Sequence, residues 1–112
     1  MVWQRVCKVT EILDDQAQLF ASGGRQIAVA RAGTEVFAVD DTCTHEDWSL
    51  CEGYVDGDEI ICSLHQARFC LRTGRVLMAP ATEPLKVYPV RVTDGDVWVD
   101  PDGGLLRDEV KP

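Results

Sequence analysis

The sequence predicts an all-β protein, a β-sandwich or small barrel, from three observations. Short β-branched runs recur at close spacing, turn residues lie between them, and no segment sustains a 3.6-residue apolar period. In chain order, Thr10-Glu11-Ile12-Leu13 reads as a single helical turn. Residues 26–31 and 35–39 flank a Gly33-containing turn and read as a hairpin. The run Glu59-Ile60-Ile61-Cys62 is β-branched and reads as a strand. Residues 68–71 and 75–77 bracket the turn pair Thr73-Gly74. Residues 86–92 and 96–99 flank Asp94-Gly95, a strong hairpin signal between apolar alternations. Pro89 has no backbone N–H to give a ladder, so it marks an edge or a bulge. From Pro101 onward the residues are rich in Gly, Pro and charge. The expected organisation is one domain over 1–100 and a tail over 101–112.

A length of 112 residues fits one domain with a modest core. The 19 acids outnumber the 11 bases, for a net charge of −8. That balance argues against nucleic acid and anionic membrane as partners and for a basic partner surface. No apolar run has signal-peptide or membrane-spanning length, so the expectation is a cytoplasmic protein with no membrane partner. The odd count of five cysteines makes a poor disulfide framework. Cys7, Cys51 and Cys70 read as small buried hydrophobes or incidental thiols, with Cys51 open to oxidation if it lies near a metal centre.

The chemistry concentrates in two runs, Cys43-Thr44-His45 and Cys62-Ser63-Leu64-His65, which hold both histidines of the chain. Each run follows a predicted strand, and loops on a rigid scaffold are where ligands usually lie. Each supplies one soft thiolate and one imidazole. Two metal centres use such a set. Zinc takes Cys₂His₂, but zinc sites usually pair cysteine with cysteine and histidine with histidine along the chain. A [2Fe–2S] centre takes the mixed pairs, with thiolates on one iron and imidazoles on the other. A merely structural pair of core histidines fits poorly beside Glu46, Asp47 and Gln66. Two neutral imidazoles in place of two thiolates remove two negative charges and ease the addition of an electron. This is why such centres lie at about −150 to +300 mV, against about −400 mV for plant-type clusters.

The pattern C-x-H…C-x-x-H resembles the ligand set of Rieske proteins. The context extends through Glu46-Asp47-Trp48-Ser49-Leu50, Glu52-Gly53, Asp56-Gly57-Asp58, Gln66-Ala67-Arg68-Phe69, Thr73-Gly74 and residues 84–90. With these residues the chain resembles Rieske-type ferredoxins of bacterial aromatic-ring-hydroxylating dioxygenases, the biphenyl type nearest. The resemblance implies an antiparallel β-sandwich with a small cluster-binding subdomain, its loops lying at about 40–80. It implies one Rieske [2Fe–2S] cluster per chain, with Cys43 and Cys62 on the inner iron and His45 and His65 on the outer. It also implies a non-catalytic one-electron carrier between a flavin-dependent ferredoxin reductase and a terminal Rieske oxygenase. The chain has no further histidines for a mononuclear iron and no Gly-rich dinucleotide fingerprint. A Rieske-like small subunit of assimilatory nitrite reductase and a zinc-stabilised interaction module are the alternatives.

Departures from the resemblance carry their own expectations. Respiratory Rieske proteins carry an extra cysteine in each loop, joined as a disulfide; Asp47, Trp48 and Leu64 fill that neighbourhood here. Those relatives aim Ser and Tyr hydroxyls at the cluster, where this chain has Ala67 and Phe69. Hydrogen bonds to cluster sulfurs raise the potential, so a value low in the Rieske range is expected. Glu46 and Gln66 stand where the ferredoxin loops often carry Gly. Between Asp40 and Glu59 there are eight acids and no Lys or Arg, which reads as an acidic rim that steers basic partners or as a solvated surface.

Overall fold

The computed structural model describes residues 3–43, 48–63, 66–78 and 83–106. Eleven strands are found among them: β1 Gln4–Lys8, β2 Gln16–Ser22, β3 Arg25–Ala32, β4 Glu35–Asp40, β5 Tyr54–Asp56, β6 Glu59–Ile61, β7 Arg68–Cys70, β8 Val76–Met78, β9 Val87–Tyr88, β10 Val90–Thr93 and β11 Asp96–Val99. Single 3₁₀ turns occupy Val9–Glu11 and Leu50–Glu52. The strand pairings among the described residues are all antiparallel, and they form three sheets, ordered β1-β11-β10, β2-β3-β4-β9 and β5-β6-β7-β8. The all-β, antiparallel expectation therefore holds. No helix among the described residues is long and apolar enough to cross a membrane.

The middle sheet is covered on both faces, and the sequence of β3 shows why. Ile27, Ala28, Val29 and Ala30 are all buried. Alternate strand residues point to opposite faces. Ile27 and Val29, with Ala38 of β4, pack with Cys7, Val97 and Val99 of the first sheet. Ala28 and Ala30, with Val39 of β4, pack with Val55, Ile60 and Phe69 of the third sheet. Within β3, small alanines face the third sheet and branched side chains face the first. A continuous apolar run is what a strand buried on both faces requires.

Pro89 lies between β9, paired with β4, and β10, paired with β11. The chain thus leaves the middle sheet for the first sheet at the residue that cannot donate to a ladder. The polar strand β2 escaped the sequence reading because it is an edge strand with mostly exposed or half-buried residues. Its turn into β3 uses Gly23 and Gly24 at φ +57° and +80°, the left-handed pair that a two-residue hairpin demands. Beyond Asp100 the chain folds back, and Leu105 exchanges both backbone hydrogen bonds with Val87.

Arg72, just past β7, ties the third sheet to the middle one. Its guanidinium donates to both carboxylate oxygens of Glu35 at 2.8 and 2.6 Å, donates to Asp58 at 3.2 Å, and lies over the Phe37 ring at 5.1 Å. The hydrogen bonds from Arg72 lower the Glu35 pKa below its ordinary value of 4.5. Any stability from this pair is therefore present above that value and is lost as pH falls through the lowered one. Both groups are solvent-exposed, so the contribution is small.

Candidate metal centre

Two loops carry the candidate ligands, and both are closed in the same way. The first leaves β4; Thr42 bridges Ser49, and the Cys43 N–H donates to the Trp48 carbonyl at 2.9 Å. The second leaves β6; the Cys62 N–H donates to the Ala67 carbonyl at 2.8 Å, and the Gln66 N–H donates to the Cys62 carbonyl at 2.9 Å. Each cysteine is thus the first residue of a loop, pinned to the residue five positions on. Cys43 and Cys62 are 2% and 1% exposed, so their side chains face the interior. They share one apolar cluster with Leu50, Ile60, Ala67, Phe69, Leu71 and Leu85. His45 and His65, with Glu46, Asp47 and Leu64, lie outside the described residues.

The first loop has a polar floor. Asp41, 1% exposed, accepts the Leu50 N–H through its backbone carbonyl at 2.7 Å and the Cys51 N–H through its carboxylate at 3.1 Å. It thereby holds the Leu50–Glu52 turn beneath the loop. Burial first, and then the Asp41 carboxylate, push the Cys51 thiol well above its ordinary range. Cys51 is a protonated thiol at neutral pH, and thiolate is the oxidisable form. That chemistry opposes the expected sensitivity to oxidation. Burial likewise raises Cys7, and no cysteine forms a disulfide.

The acidic run is less of a rim than its composition suggests. Of its described members, Asp41 is buried, and Asp40 accepts the Tyr88 hydroxyl at 2.6 Å. Glu59 pairs with Arg68 at 3.0 Å, with Asp56 at 3.8 Å from the same guanidinium, and Asp58 pairs with Arg72. Asp56 and Asp58 keep exposed side chains within these pairs, and Glu52 is exposed as well.

Two residues missed as site residues stand out. Trp48, 39% exposed, donates its indole N–H to the Ser63 hydroxyl at 3.1 Å and so joins the two loops. Gly53, just before β5, sits against the Ile61 carbonyl, where any Cβ would collide. Neither has a ligand atom, and only the fold brings their partners near. Gln66 had a signal, since it replaces a family glycine. It takes φ +62°, and its amide oxygen accepts the Tyr54 hydroxyl at 2.7 Å. A left-handed non-glycine residue costs about 1–2 kcal/mol, and a β-branched one is a genuine outlier there. Gln66→Val is expected to lower stability by about 2 kcal/mol, whereas Gln66→Gly stays within about 1 kcal/mol of the parent. Urea unfolding of the pair checks this, and equal losses from both would show that the backbone conformation is not the cause.

The comparisons with known proteins agree with this geometry. The Rieske [2Fe-2S] domain family matches residues 2–89. The biphenyl dioxygenase ferredoxin subunit of Pseudomonas sp. (strain KKS102) is 45% identical over 101 residues, 89% of this chain and 93% of that protein. The biphenyl 2,3-dioxygenase ferredoxin component of Rhodococcus jostii (strain RHA1) is 39% identical over 105 residues, 94% of this chain and 98% of that protein. Among solved structures, a chain from the complex of reduced oxygenase and oxidized ferredoxin in carbazole 1,9a-dioxygenase superposes with a TM-score of 0.86 at 36% identity, covering 92% of this chain and 96% of that one. The chain belongs to the Rieske [2Fe–2S] family, as a small one-electron-carrying ferredoxin and not as an enzyme in itself. Its cofactor is accordingly a Rieske-type [2Fe–2S] cluster. The described residues fit that group: two buried cysteines, on loops closed alike and hydrogen-bonded to each other, offer soft donors inside an apolar shell.

Proposed function

We propose that Cys43 and Cys62 hold one iron through sulfur, that His45 and His65 hold the other through nitrogen, and that the ferredoxin carries electrons from a flavin-dependent reductase to the terminal oxygenase of an aromatic-ring dioxygenase system. The observation that carries this reading is the matched closure of two cysteine-led loops over one apolar cluster. The relatives named as biphenyl dioxygenase ferredoxins and the carbazole dioxygenase complex of oxygenase with ferredoxin support the partner class. When bound, the cluster supplies a site that accepts and returns one electron. The cysteines anchor it from the inside, and the shell of Leu50, Phe69, Leu71 and Leu85 keeps water from the sulfur side.

Ala67 and Phe69 are both fully buried in that shell and bring no hydroxyl to it. A low-dielectric surrounding without such donors disfavours an added negative charge. Both features support a potential low in the Rieske range. The proposed setting is the cytoplasm, where thiols stay reduced.

The functional test is reconstitution. The purified ferredoxin, a flavin-dependent reductase and a terminal Rieske oxygenase should together turn over an aromatic substrate, and omission of the ferredoxin should abolish the coupled reaction. Turnover at full rate without it would remove the proposal. Because Glu46 and Asp47 flank His45 in sequence, Glu46→Lys with Asp47→Lys is expected to slow reduction by the reductase several-fold at low salt and to flatten the salt dependence. Stopped-flow reduction at two ionic strengths measures this; an unchanged rate and slope would show that these charges do not steer docking.

A further inference from the structure

Trp48 contacts both ligand loops through different groups. Its backbone carbonyl accepts the Cys43 N–H at 2.9 Å, which closes its own loop. Its indole N–H donates to the Ser63 hydroxyl at 3.1 Å, one residue beyond Cys62. One residue therefore touches the backbone of one candidate ligand cysteine and the immediate neighbour of the other. No disulfide joins the loops. Among the described residues, the first loop is also tied within its own segment, Thr42 to Ser49 and Asp41 to Leu50 and Cys51. The second is held by Cys62 to Ala67 and Gln66, and by the Tyr54 hydroxyl of β5 on the Gln66 amide oxygen at 2.7 Å. An indole is large and has only two side-chain torsions, so little rotamer freedom is lost in holding it across a gap.

We propose that the Trp48–Ser63 hydrogen bond is a non-covalent staple that fixes the spacing of the two cysteine loops and so governs how tightly they retain the cluster. Trp48 and Ser63 are positioning residues in this role, acting through Cys43 and Cys62. The inference rests on the assignment of those cysteines as ligands. The energetic logic is simple. Releasing the cluster requires the loops to part, and a bond between them must break as they do. Because the bond is partly solvated its net worth is modest, and the expected effect is about two- to tenfold in the rate of loss.

The test uses the holoprotein as purified and follows the decay of visible cluster absorbance in the presence of an iron chelator. Trp48→Phe keeps the ring and removes the donor; Ser63→Ala removes the acceptor. Each is expected to speed decay by about two- to tenfold, and the double variant should be no faster than the quicker single one. Ser63→Thr keeps the hydroxyl and should restore the parent rate, but not when combined with Trp48→Phe. Far-UV circular dichroism identifies any variant that fails to fold, and the threonine rescue then carries the test. Additive effects in the double variant, or a parent-like rate in either Trp48→Phe or Ser63→Ala, would overturn the staple. Failure of the ligand assignment would look different: the parent protein itself would show no cluster absorbance to follow.

Discussion

Gly53→Ala is expected to destabilise the protein by about 3 kcal/mol and to leave it largely without cluster. A Cβ at this position would overlap the Ile61 carbonyl oxygen, with the Ile61 carbonyl carbon at 3.0 Å and the Leu50 oxygen at 3.3 Å. All three are backbone atoms, so no side chain can rotate aside. The strand β6 ends at Ile61 and Cys62 follows it. Relief therefore means moving the segment that bears Cys62 away from the segment that follows Cys43. Overpacking usually costs about 1–3 kcal/mol, and a rigid neighbour puts this change at the top of that range. Gly57 provides the control. It lies at φ +62° with nothing within 4 Å of a built Cβ. Gly57→Ala should cost only the left-handed penalty, about 1 kcal/mol, and retain the cluster. Iron content per chain and urea midpoints of the two variants separate the cases. Full iron loading of Gly53→Ala would mean that the two segments are not held in register by this contact.

His45→Cys tests the charge argument. A third thiolate in place of a neutral imidazole adds one negative charge beside the metals and makes an added electron less welcome. The cluster should survive, because sulfur is an acceptable ligand. The potential should fall by on the order of 100 mV, since two such exchanges separate the Rieske range from about −400 mV. Spectroelectrochemical titration of parent and variant measures the difference. A potential that is unchanged or higher in a cluster-containing variant would remove His45 from the ligand set.

Much of the fold could be read before any coordinates. The hairpins at Gly33 and Asp94-Gly95 are local, because the turn residues and the flanking alternation lie side by side in the chain. Pro89 announced an irregularity, and the reason for it, a passage between two sheets, needs partners that lie far off in sequence. Strand β2 was missed because an edge strand need not alternate strictly and exposes much of its length; its seven residues carry no clear apolar face. The candidate ligand cysteines were legible because metal chemistry restricts residue types at close spacing. Trp48 and Asp41 were not, because indole-to-hydroxyl and carboxylate-to-backbone bonds have no sequence signature of their own. The acidic run misled in part, since composition cannot distinguish Glu52 at the surface from Asp41 in the interior.

The most direct measurement is pulsed EPR on the reduced protein, prepared once with natural histidine and once with ¹⁵N-labelled histidine. Two histidine nitrogen couplings that shift with the label, together with acid-labile sulfide equal to iron, are the predicted result. Sulfide absent from the purified protein, or a paramagnetic cluster with no coupling that responds to histidine labelling, would contradict it.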